Sequence, residues 1–122
     1  MAKRVFVVDD EKPIADTMAI ILRNSGYETT AFYCAEDAIE EVEVSCPDLI
    51  ISDFAMPGMN GIEMSVYIRR RHPECKILLF SGLATTVNLH KLVEVHDYDF
   101  EVLAKPVHPQ AMLARIAAIL GG

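Results

Sequence analysis

Short apolar runs alternate with amphipathic segments along this chain, and this alternation constrains its fold most strongly. Runs of four residues at 5–8, 49–52 and 77–80 contain no charged side chain. Such short runs without polar alternation are typical of strands that are buried on both faces of a parallel sheet. Between the runs, apolar residues recur at helical spacing until a breaker such as Gly26 or Pro73.

Two further strands are predicted, and both are more polar. Residues 28–32 alternate between polar and apolar side chains, and residues at about 100–104 form a second mixed run. Polar strands suit the edges of a sheet, so right-handed crossovers favour five parallel strands in the order 2-1-3-4-5. Helices on both faces are predicted at about 13–25, 35–42, 61–72 and 84–95, and a last one carries Met112, Leu113, Ile116, Ile119 and Leu120.

The length and composition are those of one globular domain, which we assign to residues 1–122. The chain is 52% hydrophobic and 24% charged, which is enough for a real core. No apolar stretch approaches the roughly 20 residues that cross a bilayer, and the first apolar run is too short for a signal peptide. We therefore expect a cytoplasmic protein without membrane contact. The net charge of −7 argues against direct nucleic-acid binding.

Cysteine and histidine spacing predicts neither a disulfide framework nor a zinc site. Cys34, Cys46 and Cys75 are an odd set without C-x-x-C spacing, so we expect reduced, mostly part-buried thiols. The four histidines are scattered along the chain, and we expect them to face solvent rather than bind a ligand.

Each buried strand, and the last strand, ends at a residue that can contact a phosphate or a metal. Asp9 and Asp10 follow the first strand and Asp53 follows the third, while Ser81 and Lys105 follow the fourth and fifth. The carboxyl ends of parallel strands lie at one edge, and ligands bind there where the strand order reverses. That point lies between the first and third strands. The three carboxylates are therefore predicted to converge.

Converging carboxylates repel one another unless a cation holds them ionised. Magnesium fits, because it prefers oxygen ligands and no histidine or cysteine lies in this cluster. Helix capping would account for one aspartate, but not for two plus a third on a neighbouring strand. Asp53 can also act as a nucleophile toward a phosphoryl group, with Lys105 balancing its charge and Ser81 donating a hydrogen bond.

The segment after the third strand carries the signals of an ordered loop. Pro57 and Gly58 suit the central positions of a type II turn, and Asn60 suits the cap of the next helix. A cis peptide bond between Lys105 and Pro106 would aim the lysine inward, although the dipeptide alone does not establish one.

Taken together, the motifs resemble those of the receiver (REC) domain of two-component response regulators, in the CheY-like superfamily. They are V-V-D-D at 7–10, S-D-F-A-M-P-G-M-N-G at 52–61, F-S-G at 80–82 and A-K-P at 104–106. The resemblance covers nearly the whole chain and implies a flavodoxin-like (βα)5 doubly wound α/β fold. Nothing after the last predicted helix indicates an output domain.

This resemblance implies phosphorelay signalling. Asp53 would be the phosphoacceptor, supplied by a sensor histidine kinase or a phosphotransfer protein, and Ser81 and Lys105 would receive the phosphoryl oxygens. Only self-phosphorylation and self-dephosphorylation are expected, so the chain is not expected to be an enzyme. Phosphorylation would shift the face formed by the last strand and the two helices that flank it in sequence. The output domain or protein that reads this face is not identified by the sequence.

The resemblance also implies a magnesium site. Asp10 and Asp53 would bind Mg²⁺ directly, Asp9 would assist through water, and the backbone carbonyl of Ala55 would be a further ligand.

The predicted switch departs from the family pattern. Most receivers carry an aromatic residue three positions before the lysine, but this chain has Val102 there. Phe100 lies two residues earlier, on the same side of the strand and roughly 7 Å further from the site. Twenty-three residues separate Ser81 from Lys105, about two more than the family leads us to expect. We therefore expect normal phosphorylation with an altered readout.

Two positions that tune phosphate lifetime in the family are apolar here. Ala55 lies two residues after the acceptor and Leu83 two residues after Ser81. Neither can orient a hydrolytic water, and Leu83 is placed to shield the phosphoryl group, so we expect slow self-dephosphorylation.

Two other functions were weighed. A flavodoxin-like interaction module could use the same fold to bind an anionic ligand or a partner without phosphorylation. A haloacid-dehalogenase-like phosphatase also uses a nucleophilic aspartate, but it needs D-x-D after the first strand. The sequence Asp9-Asp10-Glu11 has adjacent acids instead, so we reject this second alternative.

Overall fold

A computed structural model describes residues 2–82 and 100–121. In these ranges, five strands alternate with four helices. The strands are β1 (Arg4–Val8), β2 (Glu28–Phe32), β3 (Leu49–Asp53), β4 (Lys76–Ser81) and β5 (Glu101–Ala104). The helices are α1 (Lys12–Asn24), α2 (Ala35–Val44), α3 (Gly61–Arg71) and α4 (Pro109–Leu120). The helix predicted at 84–95 lies outside the described residues.

All strand pairs are parallel, and the sheet order is β2-β1-β3-β4-β5. The predicted α/β doubly wound architecture and strand order are therefore confirmed. The more polar strands β2 and β5 occupy the edges, as predicted. Among the described residues, no helix is both long enough and apolar enough to cross a membrane.

The central strands are continuously apolar because helices cover both faces of the sheet. Val5 and Val7 pack with residues of α1 and α4, whereas Phe6 and Val8 pack with residues of α2 and α3. Side chains alternate between the faces of a strand, so a strand covered on both sides contains no position that favours a polar residue. The first polar residues then appear where the strands leave the core.

The helix ends largely follow the local sequence signals. Asn60 accepts a hydrogen bond from the backbone N–H of Glu63, and the Glu63 carboxylate accepts one from the backbone N–H of Asn60. This capping box confirms the predicted cap. Gly58 has a φ of 73°, as the second central residue of a type II turn requires. The Lys105–Pro106 peptide bond is cis.

Several predicted boundaries were short by one residue. β3 includes Asp53 and β4 includes Ser81, so two of the predicted site residues belong to strands rather than to loops. The apolar pattern missed them because both side chains are polar, although the backbone continues the ladder and Asp53 pairs with Phe80. Both side chains are consequently held by the sheet.

Candidate functional site

The three predicted carboxylates converge at the carboxyl edge of the sheet. Asp9 follows β1 directly, and its backbone N–H donates to the Phe32 carbonyl at 3.0 Å, which anchors it to β2. Asp53 is the last residue of β3. One carboxylate oxygen from each of Asp9, Asp10 and Asp53 lies within 4.8 Å of the other two. The predicted meeting point between β1 and β3 is therefore confirmed.

Asp9 is the most buried carboxylate of the three, at 3% exposed. Burial raises its pKa, and the nearby charges of Asp53 and Asp10 raise it further. The backbone N–H of Glu11, which donates to Asp9 Oδ1 at 2.9 Å, and the charge of Lys105 oppose this shift. Keeping the buried Asp9 carboxylate ionised therefore costs free energy.

The donor atoms fit a magnesium ion. The cluster offers three carboxylates, and among the described residues no histidine or cysteine belongs to it. Asp10 is exposed, so water can complete the coordination of a hard cation that keeps several water ligands. A divalent cation would also relieve the repulsion that raises the Asp9 pKa.

Lys105 forms an ion pair with the central aspartate. Its Nζ lies 2.8 Å from Asp53 Oδ1, and the backbone N–H of Lys105 donates to the Ser81 carbonyl at 2.7 Å. The Asp53 side chain is 11% exposed and the Lys105 side chain 40%, so the pair is only partly shielded from water. Lys105 is therefore placed to balance negative charge at the Asp53 carboxylate.

Ser81 completes the predicted set from the far side. It is 1% exposed, ends β4 and lies opposite Ala104 of β5. Its Oγ donates to the Gly82 carbonyl at 3.3 Å. Ser81 shares a cavity of about 380 Å³ with the following residues: Asp10, Glu11, Asp53, Phe54, Ala55, Gly82 and Lys105. This cavity is large enough for a phosphoryl group and several waters.

Gly61 is a positioning residue that sequence reasoning did not single out. A Cβ atom at this position would lie 2.5 Å from the Asp53 carbonyl oxygen and 3.2 Å from Ser52 Oγ. The first turn of α3 can therefore lie directly behind the nucleophile only if this residue is glycine. The feature of the sequence that could have indicated this role is a glycine at the first helical position, immediately after the Asn60 cap.

Glu11 is a further residue of the site, and its role was not predicted from the sequence. In the structure it lines the 380 Å³ cavity, and its backbone N–H holds Asp9. Glu11 thus positions the Asp9 carboxylate through its backbone. The position of Glu11 two residues after Asp9 was the feature of the sequence that could have indicated this role.

Val102, at the position of the usual aromatic switch residue, and Phe100 belong to one small core cluster. Val102 is half-buried and packs against a small core of Ile77, Leu79 and Phe100. The Arg69 guanidinium lies 5.0 Å from the centre of the Phe100 ring. The Phe100 side chain therefore lies on the same side of the sheet as Val102, as predicted. Of the predicted lifetime-tuning residues, Ala55 is exposed beside Asp53, while Leu83 lies outside the described residues.

A second cavity adjoins the site. It is an apolar groove of about 650 Å³ between α1 and the segment that follows β5. Its acidic-site end is formed by Asp9 and Lys105, and its wall includes Ile14 and Met18 of α1 and Met112 of α4. An apolar surface of this size directly beside a charged site is typical of a binding surface.

Comparison with known proteins gives one family. The model of the response regulator receiver domain matches residues 5–117. A CheY-like receiver domain protein from Methanospirillum hungatei is 26% identical, with a TM-score of 0.89 over 99% of this chain and 95% of that chain. Vibrio cholerae chemotaxis protein CheY4 is 24% identical, with a TM-score of 0.89 over 98% and 99% of the two chains. The receiver domain of DrrB, described as BeF3-activated, is 25% identical, with a TM-score of 0.84 over both whole chains.

The family match and the site agree in position. The matched residues include the three aspartates of the acidic cluster as well as Ser81 and Lys105. Receiver domains interact with histidine kinases and with output domains in two-component systems. Because the family model covers most of the sequence, this chain belongs to the response regulator receiver domain family.

Proposed function

We propose that this chain accepts a phosphoryl group on Asp53 and switches conformation in two-component (phosphorelay) signalling. The observation that carries the proposal is the convergence of Asp9, Asp10 and Asp53 with Lys105 ion-paired to Asp53 at 2.8 Å. An anionic nucleophile attacks an anionic phosphoryl donor only where cations screen the repulsion. Lys105 supplies one such cation.

The transfer forms one bond and breaks one. An Oδ atom of Asp53 attacks the phosphorus of a phosphohistidine, a P–O bond forms, and the P–N bond breaks. The donor histidine leaves and takes up a proton from solvent. Hydrolysis later releases inorganic phosphate and restores the carboxylate. Because the chain acts only on its own side chain, we do not class it as an enzyme.

Magnesium is the proposed cofactor. Asp10 and Asp53 would hold the ion directly, Asp9 through water, and Ala55 through its backbone carbonyl. When bound, Mg²⁺ supplies charge neutralisation for the transferring phosphoryl group. The all-oxygen donor set supports this assignment.

The signal begins at Ser81. In the structure its Oγ donates to Gly82, at the end of β4. Phosphoryl oxygens on Asp53 are stronger acceptors than a carbonyl, so Ser81 is expected to turn toward them and draw its loop inward. BeF3 is an analogue of a phosphoryl group, and DrrB is described as activated by it. The same kind of response is proposed here, with Val102 in place of an aromatic residue.

The phosphodonor is proposed to be a histidine kinase or a histidine phosphotransfer protein. Such a partner has to seat its histidine over Asp53, and the apolar groove beside Lys105 offers a surface that borders the site. The cytoplasm is the proposed location, since ATP-dependent kinases act there.

Acetyl phosphate with Mg²⁺, followed by intact-mass measurement, tests the proposal. The wild-type chain should gain one phosphoryl group that is base-labile. Asp53→Asn should abolish the gain, whereas Asp37→Asn, a change at an exposed residue of α2, should leave it intact. An unmodified wild-type chain would instead support the alternative of a non-phosphorylated interaction module.

A further inference from the structure

A second cluster of metal-ligating side chains lies at the opposite edge of the sheet. Cys46 follows α2, and His72 and Glu74 lie in the loop between α3 and β4. The Cys46 sulfur, a ring nitrogen of His72 and a carboxylate oxygen of Glu74 all lie within 4.8 Å of one another. Spacing along the sequence could not reveal this group, because 25 residues separate Cys46 from His72.

We propose that Cys46, His72 and Glu74 bind a zinc ion. A thiolate, an imidazole and a carboxylate are the three ligand types that zinc takes in proteins, at about 2.0–2.3 Å from the metal. The three ligand atoms already lie within 4.8 Å of one another, close to the spacing of ligands around a single zinc ion. A hard cation such as Mg²⁺ prefers oxygen alone, so the two cation sites of the chain differ in selectivity.

The two loops that carry the ligands are held in place by hydrogen bonds to their backbone carbonyls. Arg4 Nη1 donates to the Cys46 carbonyl at 3.2 Å, and Arg69 Nε donates to the Cys75 carbonyl at 2.9 Å. The Cys75 N–H also donates to the His72 carbonyl at 3.0 Å, which closes a tight turn around Glu74. The ligand positions are therefore largely preformed, which reduces the ordering cost of binding.

The His72 ring has an unmet bonding requirement. Its Nε2 atom is buried, and among residues 2–82 and 100–121 it has no hydrogen-bond partner. Glu43 Oε1 lies 3.8 Å from this nitrogen, which is within ion-pair range for a protonated ring but outside hydrogen-bond distance. We expected this histidine to face solvent, but its side chain is only 23% exposed. A buried ring nitrogen without a partner is a position at which a ligand gains binding energy.

Cys75 supports Cys46 from inside the core. Cys75 is buried and its Sγ donates to the Lys76 carbonyl at 3.7 Å, while burial raises the pKa of both the Cys75 and the Cys46 thiols. We assign Cys75 to an outer position, from which its thiol would turn from the Lys76 carbonyl to donate to the sulfur of the metal ligand. Zinc binding then requires the loss of one thiol proton, from Cys46, to solvent.

Cobalt substitution tests the site. The reduced, metal-free chain is titrated with Co²⁺ in excess Mg²⁺, which occupies the acidic site. A sulfur-to-cobalt charge-transfer band should appear in the near ultraviolet, and added Zn²⁺ should remove it. Loss of outer-sphere partners weakens metal sites about 10–100-fold, so Cys46→Ser and His72→Gln should each weaken Zn²⁺ binding by at least about tenfold.

Cys34→Ser is the matched control, since Cys34 caps the other end of α2 and should leave the band and the affinity unchanged. Circular dichroism of each variant checks that it is folded. Absence of the band in the wild-type chain, or a band that survives Cys46→Ser, would overturn the proposal. Zinc binding lost in Asp53→Asn but kept in Cys46→Ser would also overturn it and would place the ion at the acidic site. Acetyl phosphate labelling of Cys46→Ser should be normal, so this test is independent of phosphorylation.

Discussion

The charge of Asp9 shows how a single residue links stability to function. Its side chain is buried beside two other carboxylates, and burial and these neighbours raise its pKa. A carboxyl with a raised pKa in the folded state binds protons more tightly there than in the unfolded chain. The folded state is therefore destabilised by this group at neutral pH, and relieved as the pH falls through the raised pKa.

Asp9→Asn should stabilise the metal-free protein at pH 7 by about 0.5–2 kcal/mol, the usual gain when a functional-site cost is removed. Asparagine keeps an oxygen that can accept the hydrogen bond from the backbone N–H of Glu11, and it removes the negative charge. Urea unfolding at a series of pH values measures the effect. The gain should shrink toward acidic pH, as Asp9 becomes protonated in the wild-type chain. A gain that grows on acidification would contradict the sign of the pKa shift.

Ala55 supports a second prediction at the residue scale. It is exposed and lines the phosphoryl cavity, but a methyl group cannot orient water. Ala55→Asn adds a hydrogen-bonding group and should shorten the lifetime of the phosphorylated state on the order of tenfold, a small part of the 10²–10⁴ that a positioned group contributes. The decay of the phosphorylated mass reports the rate. Ala55→Val, which adds bulk without polarity, should leave the lifetime no shorter, and equal decay in all three proteins would refute the prediction.

At the scale of elements, the start of α3 fixes the position of the nucleophile. The capping box of Asn60 and Glu63 begins the helix, and Gly61 lets its first turn approach the Asp53 carbonyl. Ser65 Oγ donates to the Gly61 carbonyl at 2.6 Å, which ties this turn to the next. The site thus depends on a close contact between a helix and a strand end.

Gly61→Ala should therefore destabilise the chain by about 1–3 kcal/mol, as overpacking of a well-packed contact does. It should also slow labelling by acetyl phosphate, because Asp53 has to shift away from the added methyl group. Gly26→Ala is the control. Gly26 has a φ of 96°, and a Cβ atom there would meet nothing within 4 Å, so this substitution adds backbone strain alone. Both variants should unfold more easily in urea, but only Gly61→Ala should label more slowly.

At the scale of the whole molecule, the sheet separates two chemistries. Its carboxyl edge gathers the acidic cluster, and its amino edge gathers Cys46, His72 and Glu74. The apolar groove runs along α1 and opens beside Asp9 and Lys105 at the carboxyl edge. A phosphodonor protein that uses this groove reaches Asp53 without contacting the proposed zinc site.

Ile14 tests the role of the groove. It is 41% exposed and lines the groove, so a partner that covers it should gain apolar burial. Ile14→Asp should reduce kcat/KM for phosphotransfer from a histidine kinase about tenfold and leave acetyl phosphate labelling unchanged. Ile20→Asp is matched to it, since Ile20 is on the same helix, 54% exposed and outside the groove. Equal losses in the two variants would count against docking at the groove.

The sequence by itself determined the sheet order, the edge strands, the Asn60 cap and the convergence of Asp9, Asp10 and Asp53. These features follow from local rules, because alternating strands and helices admit few right-handed arrangements and parallel strands end at one edge. Only the tertiary structure decided which distant loops meet. Gly61 behind Asp53, the groove along α1 and the cluster around Cys46 arise from packing between elements. Such contacts depend on inter-element distances of a few ångströms, which no periodicity in the sequence encodes.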